Sequence, residues 1–250
     1  MSNFEGLSIA ALPMPLGQAL ATTPAGLGKR ERTRRQLMLA AVQVFSARGV
    51  AGTTIAEIAQ QAGMTTGTVY NHFDTKDAIV LAVATWLAET LCERINESQR
   101  GIERGAQRMA IGQRRYSWLA RESPQWTLVL LDISAAAPSL SAHIATYAYE
   151  DLKLGIAQND FRVPSEAAAM NMVMGVGVLA MRDIAMGSAP PDHDIAVATM
   201  VLRGLGMPFK DAAEIARRPL PDFGPPGAPG AVAARPARPA RKTRPKARSR

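Results

Sequence analysis

The chain has 250 residues, 47% of them hydrophobic and 20% charged, a balance that excludes both a minimal peptide scaffold and a chain disordered throughout. Its one cysteine, Cys92, excludes an intrachain disulfide and a cysteine-rich zinc site and fits a reducing compartment, with the cytosol as default. The net charge of +8 is unevenly placed: residues 29–76 hold seven basic and three acidic side chains, residues 77–223 fourteen and seventeen, and residues 224–250 eight basic and none acidic, which suggests a polyanion contacted near the ends rather than through the middle.

Residues 1–28 carry Pro13, Pro15 and Pro24 among scattered glycines, without helical periodicity or an export signal, and are expected to be a disordered leader. The first predicted helix has Leu37, Ala40, Ala41, Val44 and Phe45 on one face and ends at Arg48 and Gly49. The second opens on a T-x-x-E capping box, Thr54 with Glu57, places Ile55, Ile58, Ala59 and Ala62 on one face, and stops at Gly63. A third, from Thr65 to Phe73, turns Val69 and Phe73 inward, and a fourth opens near Thr75 with Ile79, Val80, Val83, Leu87 and Leu91 along one side. Two short helices about a tight glycine turn form the helix-turn-helix arrangement, which sets its second helix in a major groove. The polar residues of that second helix, Thr65, Thr66, Thr68, Tyr70, Asn71 and His72, are uncharged donors and acceptors where an ordinary solvated helix carries Lys and Glu. Gly67 inside so short a helix costs roughly 1 kcal/mol, which suits a backbone or phosphate approaching closely there.

The stretch Thr33 to Val83 resembles the N-terminal DNA-binding domain of the TetR family of bacterial transcriptional repressors. The likeness lies in Ala40, Ala41 and Phe45, then Gly49, then Thr54, Ile58 and Ala59, then Ala62-Gly63, and in the run from Gly67 to Phe73 leading to Lys76. It implies a DNA-binding domain over residues 29–76, with the helix-turn-helix at about 54–73. Thr66, Thr68, Asn71 and the backbone at Gly67 are then candidates for base-edge contact. Thr54, Thr65, Tyr70, His72 and Lys76 are candidates for phosphate contact. Val69, Phe73, Ile55 and Ile58 are assigned to the core. The cluster Lys29, Arg30, Arg32, Arg34 and Arg35 opposes the dipole of the first helix and hints at an anion nearby.

Residues 77–218 are expected to form five or six helices around an effector pocket, with breaks at 98–105, 122–124, 138, 159–164 and 187–191. Trp86, Cys92, Trp118, Trp126, His143, Tyr147 and Tyr149 are candidates to line it, although aromatic residues at helical spacing are more often core. The apolar stretch 167–181 is shorter than the roughly 20 residues of a membrane span and reads as a buried helix, so no membrane partner is expected. Met170, Met174, Gly177, Met181, Ile195 and Leu202 fall on two late helices that the resemblance implies pair with their copies, making them the expected homodimer interface. Residues 219–250 are expected to be a disordered Pro/Ala/Arg tail adding salt-dependent DNA affinity.

The expected molecule is all-α: a three-helix DNA-binding domain followed by a helical effector-binding and dimerisation domain. The expected function is a cytoplasmic, nucleoid-associated regulator, a ligand-released repressor that binds a palindromic double-stranded DNA operator as a homodimer. No cofactor, metal or catalytic group is expected, since no activated nucleophile or ligand cluster stands out. The alternative is an architectural DNA-binding protein dominated by the basic tail.

Overall fold

The structure, a computed structural model, describes residues 12–22 and 26–223. Among these residues it is all-α: α1 (Met14–Ala21), α2 (Lys29–Arg48), α3 (Ile55–Gln61), α4 (Thr66–Tyr70), α5 (Lys76–Ser98), α6 (Gly105–Glu122), α7 (Pro124–Ala136), α8 (Pro138–Ala157), α9 (Glu166–Ala185), α10 (His193–Gly204) and α11 (Phe209–Arg217). The five expected breaks after α5 occur, and a further one at residues 205–208, with Gly206 and Pro208, separates α10 from α11, so seven helices stand among the described residues where five or six are expected.

The first body packs α2 against α3 and α5, and α3 against α4. Its core is built from Leu37, Ala41, Phe45, Ile58, Val69, Phe73, Ile79 and Val83, each at most 3% exposed. α3 starts where Thr54 Oγ1 accepts from the Glu57 amide (3.3 Å) and the Glu57 carboxylate accepts from the Thr54 amide (2.8 Å). Such a reciprocal cap stabilises a helix start by about 1 kcal/mol. α4 is shorter than the expected 65–73: the amides of His72 and Phe73 both donate to Val69 O at 2.9 Å, closing a turn that drives Phe73 into the core.

The expected disordered leader is corrected by α1. Pro13 caps it, Pro15 lies in its first turn, and Leu16 and Leu20 are 0% and 2% exposed in the core, where α1 packs against α5. The pair is spaced four residues apart, so both side chains fall on one face of two helical turns. Residues 1–11 and 23–25 of that leader lie outside the described residues.

In the second body α6 is the central helix, touching α8, α9, α10 and α11. α6 and α8 cross at glycines: a Cβ on Gly105 would stand 2.4 Å from the Gly155 amide nitrogen. Arg114 and Arg121 of α6 hold Asp194 of α10 at 2.9 and 3.3 Å. Burial opposes ionisation of Asp194, but these two guanidiniums outweigh it and hold the carboxyl below its ordinary range. α9, expected to be a buried helix, is buried on one face only: Val173, Ala180 and Met181 face inward, while Leu179 is 63% exposed. It is the one described helix long and apolar enough to cross a membrane by length and composition, yet one face is packed on α6, α7, α8 and α10.

The tail begins later than residue 219. Residues 218–223 lie across α6 and α5, with Phe223 buried, and residues 224–250 lie outside the described residues.

Candidate nucleic-acid interface and ligand cavity

The reader is assembled by α2. Gln36 Nε2 donates to Ala62 O (3.0 Å) at the turn between α3 and α4, and Arg34 donates to His72 O (3.3 Å) while its guanidinium lies 4.3 Å over the Phe73 ring. One helix therefore grips the helix-turn-helix at its turn and at its C-terminal end. The turn itself is carried by Gly63, whose φ of +67° is left-handed and unfavourable for a side chain.

On α4 and its flanks, Thr65, Thr66, Gly67, Tyr70 and Asn71 are exposed on one surface, with Tyr70 at 54%. Thr65 Oγ1 caps the Thr68 amide (3.2 Å) and lies 3.0 Å from the Thr68 hydroxyl, so these two hydroxyls satisfy one another. Thr54 is likewise committed to its capping box, with its hydroxyl 3.0 Å from Glu57 Oε2. Lys76 stands differently from the expected free phosphate contact: its ammonium donates to the carbonyls of Val50 (3.0 Å), Ala51 (3.4 Å) and Thr53 (3.1 Å), tying down the loop before α3.

The basic cluster divides in the same way. Arg34 is a brace, and Arg35 donates to Thr22 O (3.1 Å) while lying 4.6 Å over Trp86. Lys29, Arg30 and Arg32 are exposed. His72 is pushed below its ordinary value by burial, Arg30 and Arg34, with Glu31 opposing, which brings Arg30 into electrostatic range of the end of α4. The exposed surface of α4 thus borders an exposed cationic patch.

The second site is a cavity of about 120 Å³ between α5, α6, α7, α8 and α9. That is several times the roughly 15 Å³ a single water needs, enough for a small organic molecule. Its wall is mostly aliphatic and thioether, with a few polar groups. Cys92 Sγ and Tyr116 Oη meet at 3.0 Å, Gln113 Nε2 donates to Val173 O at 3.3 Å, and Arg108 Nε donates to Asp151 Oδ1 at 2.6 Å. Burial pushes the Cys92 thiol up to about 11 and the Tyr116 phenol well up, so both are neutral donors. Burial also raises the Asp151 carboxyl, against the attraction of Arg108.

Of the seven residues expected to line the pocket, Cys92 and Tyr147 do, while Tyr149 is exposed and hydrogen-bonded to Glu166. Trp86 and Trp126 are core residues at 9% and 1% exposure, Trp118 packs against that core, and His143 is exposed, edge-on to Tyr147 at 5.9 Å. The expected dimer residues also point into their own chain. Met174, Gly177 and Met181 line the cavity, Met170 and Ile195 pack on the second core, and Leu202 is 0% exposed within it. The open apolar face on the same two helices carries Leu179 and Met200, 63% and 66% exposed, while Val178, though partly exposed, also lines the cavity. Sequence reasoning missed Gln113, Tyr116 and Asp151, whose spacing within helices does not distinguish a cavity wall from a packed core.

Comparison with known proteins places these two sites. The model described as bacterial regulatory proteins, tetR family, matches residues 37–83, and that of the tetracyclin repressor-like C-terminal domain matches residues 105–218. The chain is similar to the transcriptional regulator TtgR of Pseudomonas putida, 47% identical over 60 residues, 24% of this chain and 29% of TtgR, so the match spans under a third of that relative. It is also similar to the transcriptional activator FasR of Mycolicibacterium smegmatis, 27% identical over 173 residues, 67% of this chain and 79% of FasR. Among solved structures, RolR in complex with resorcinol superposes with a TM-score of 0.67 at 29% identity, covering 78% of this chain and 98% of RolR. FadR of Bacillus subtilis shares the fold at a TM-score of 0.56 and 20% identity, over 68% of this chain and 96% of FadR. One family model over the helix-turn-helix, a second over the C-terminal helices and a solved relative spanning both make this chain a member of the TetR family, a helix-turn-helix DNA-binding transcriptional regulator.

Proposed function

We propose that this regulator is a cytoplasmic, ligand-released repressor that binds a palindromic operator as a homodimer. The observation that carries the reading is the continuity of α5. Its first turns pack in the DNA-binding body, through Ile79 and Val83, and its last turns line the cavity, through Leu91, Cys92, Ile95 and Asn96. A 23-residue helix is about 35 Å of rigid rod. A ligand that binds one position of α5 better than another shifts the population of recognition-helix positions.

Two copies are needed because recognition helices enter successive major grooves only when set about 34 Å apart. The apolar face of Leu179 and Met200 supports a second copy as its cover, since exposed apolar patches of this kind mark association surfaces. In this reading Thr66, Thr68, Asn71 and the Gly67 backbone meet base edges. Tyr70, His72, Lys29, Arg30 and Arg32 meet phosphates, as do Thr54 and Thr65 through their capped helix starts. The effector is a small phenol: RolR carries resorcinol, and the cavity offers neutral Tyr116 and Cys92, Gln113 and the Arg108–Asp151 pair to a hydroxylated ring.

Fluorescence anisotropy on DNA recovered with the protein from cells tests this. Thr68→Ala and Tyr70→Ala each weaken operator binding about tenfold, consistent with 1–3 kcal/mol per specific contact, and resorcinol or a related phenol releases the operator. Wild-type affinity in both folded variants rejects the interface.

A further inference from the structure

Residues 218–223 form neither helix nor strand, yet they are held at three points by arginines of α5 and α6. Arg114 Nη1 donates to Arg218 O (2.6 Å), Arg115 to Pro221 O, and Arg94 of α5 to Phe223 O. The Phe223 ring lies 3.8 Å beneath the Arg115 guanidinium and 5.1 Å from the Trp118 ring, and is 9% exposed. Arg115 is itself 6% exposed, forms no ion pair among the described residues, and its Nε has no partner. Its buried charge is therefore compensated by the strap, through the Pro221 carbonyl, the Phe223 ring and the attraction of the Asp222 carboxylate. Taking the strap away leaves a cation desolvated without a partner, a costly state that the helices must relax to escape.

The strap borders the cavity on the same two helices. Residues three, four and seven apart on a helix share a face. Arg115 lies seven residues from the cavity residue Arg108, three from Gly112 and four from Leu119, and Arg94 lies three from Leu91. The strap therefore bridges α5 and α6 along the edge of the cavity that separates them.

We infer that residues 218–223, pinned by Phe223, hold α5 against α6 and so set the width of the cavity, making Phe223 a positioning residue for ligand binding. The inference concerns regulation of the cavity and rests on the proposal above that an effector occupies it, but its test does not use the effector. Cys92 is 2% exposed and faces the cavity, so its modification by DTNB reports opening. In the full-length chain Phe223→Ala is expected to speed Cys92 modification about tenfold beyond what its measured loss of global stability accounts for, a signature of local opening. Phe223→Leu, which keeps apolar bulk but not the ring beneath Arg115, is expected to speed it about threefold, and serves as the variant of record if the alanine protein does not fold. Phe209→Ala, an exposed aromatic on α11, leaves the rate unchanged. A rate explained entirely by global unfolding overturns the strap, even if a phenol releases the operator. A faster rate sustains it, even if no phenol does.

Discussion

At the scale of single residues, Gly67 separates what the fold requires from what DNA requires. A Cβ at this position would meet only Thr65 Oγ1 at 3.7 Å, an ordinary contact, and Gly67 φ is not left-handed, so nothing in the chain itself demands glycine. Gly67→Ala is therefore expected to leave stability unchanged or raise it by up to about 1 kcal/mol in urea unfolding, through helix propensity. The same change should weaken operator binding by about tenfold, because a methyl group stands where a base edge or phosphate approaches. Retained affinity would remove the backbone at Gly67 from the interface.

His72 yields a pH dependence. Its folded value lies below the ordinary one near 6.5, so the unfolded chain takes up more protons as pH falls; its contribution to stability is whole above about pH 6.5 and lost below it. A phosphate beside the ring reverses the local field that Arg30 and Arg34 impose, raising the imidazole and coupling DNA binding to proton uptake. Lowering the pH from about 7.5 to about 6 should strengthen operator binding more in the wild type than in His72→Gln. Parallel pH profiles would place His72 away from phosphate.

At the scale of elements, the loop between α2 and α3 hangs on one side chain. Lys76 closes three backbone carbonyls from 50–53, while Thr53 Oγ1 closes Gly49 O at 2.7 Å. Lys76→Met removes an ammonium and leaves those carbonyls to find other donors, so it is expected to cost about 2 kcal/mol in unfolding free energy. A contact made only to phosphate would instead leave unfolding unchanged and alter affinity alone. The elements themselves were legible wherever local chemistry decides: Thr54, Thr65 and Thr75 cap helices, Gly63 and Gly49 end them, and the apolar stripe of α2 faces the core. α1 escaped because two leucines in eight residues make no period. The strap escaped because it is held by side chains more than 100 positions away in sequence. The cavity and the apolar face of α9 were misassigned for a shared reason: α9 is apolar on both faces, and spacing alone does not say which of Met174 or Leu179 looks inward.

At the scale of the whole molecule, charge and symmetry act together. The eight cations of residues 224–250 follow directly on Phe223, which the strap fixes to the junction of α5 and α6. In a dimer each operator complex carries two such tails, sixteen charges available to phosphate. Each phosphate neutralised adds about 0.9 to the slope of log affinity against log salt. Ending the chain at Phe223 should therefore flatten the salt slope measurably on operator and random duplex alike, by no more than about 7 for each tail removed. The ratio of the two affinities at fixed salt should stay the same if, as proposed, α4 reads the sequence and the tail does not. An unchanged slope would separate the tail from DNA. A footprint spreading over any duplex in the wild type and lost with the tail would instead favour the architectural alternative, in which the helix-turn-helix is the lesser contact. A footprint confined to one palindrome with or without the tail leaves discrimination to the two recognition helices and the tail's effect to encounter and salt dependence.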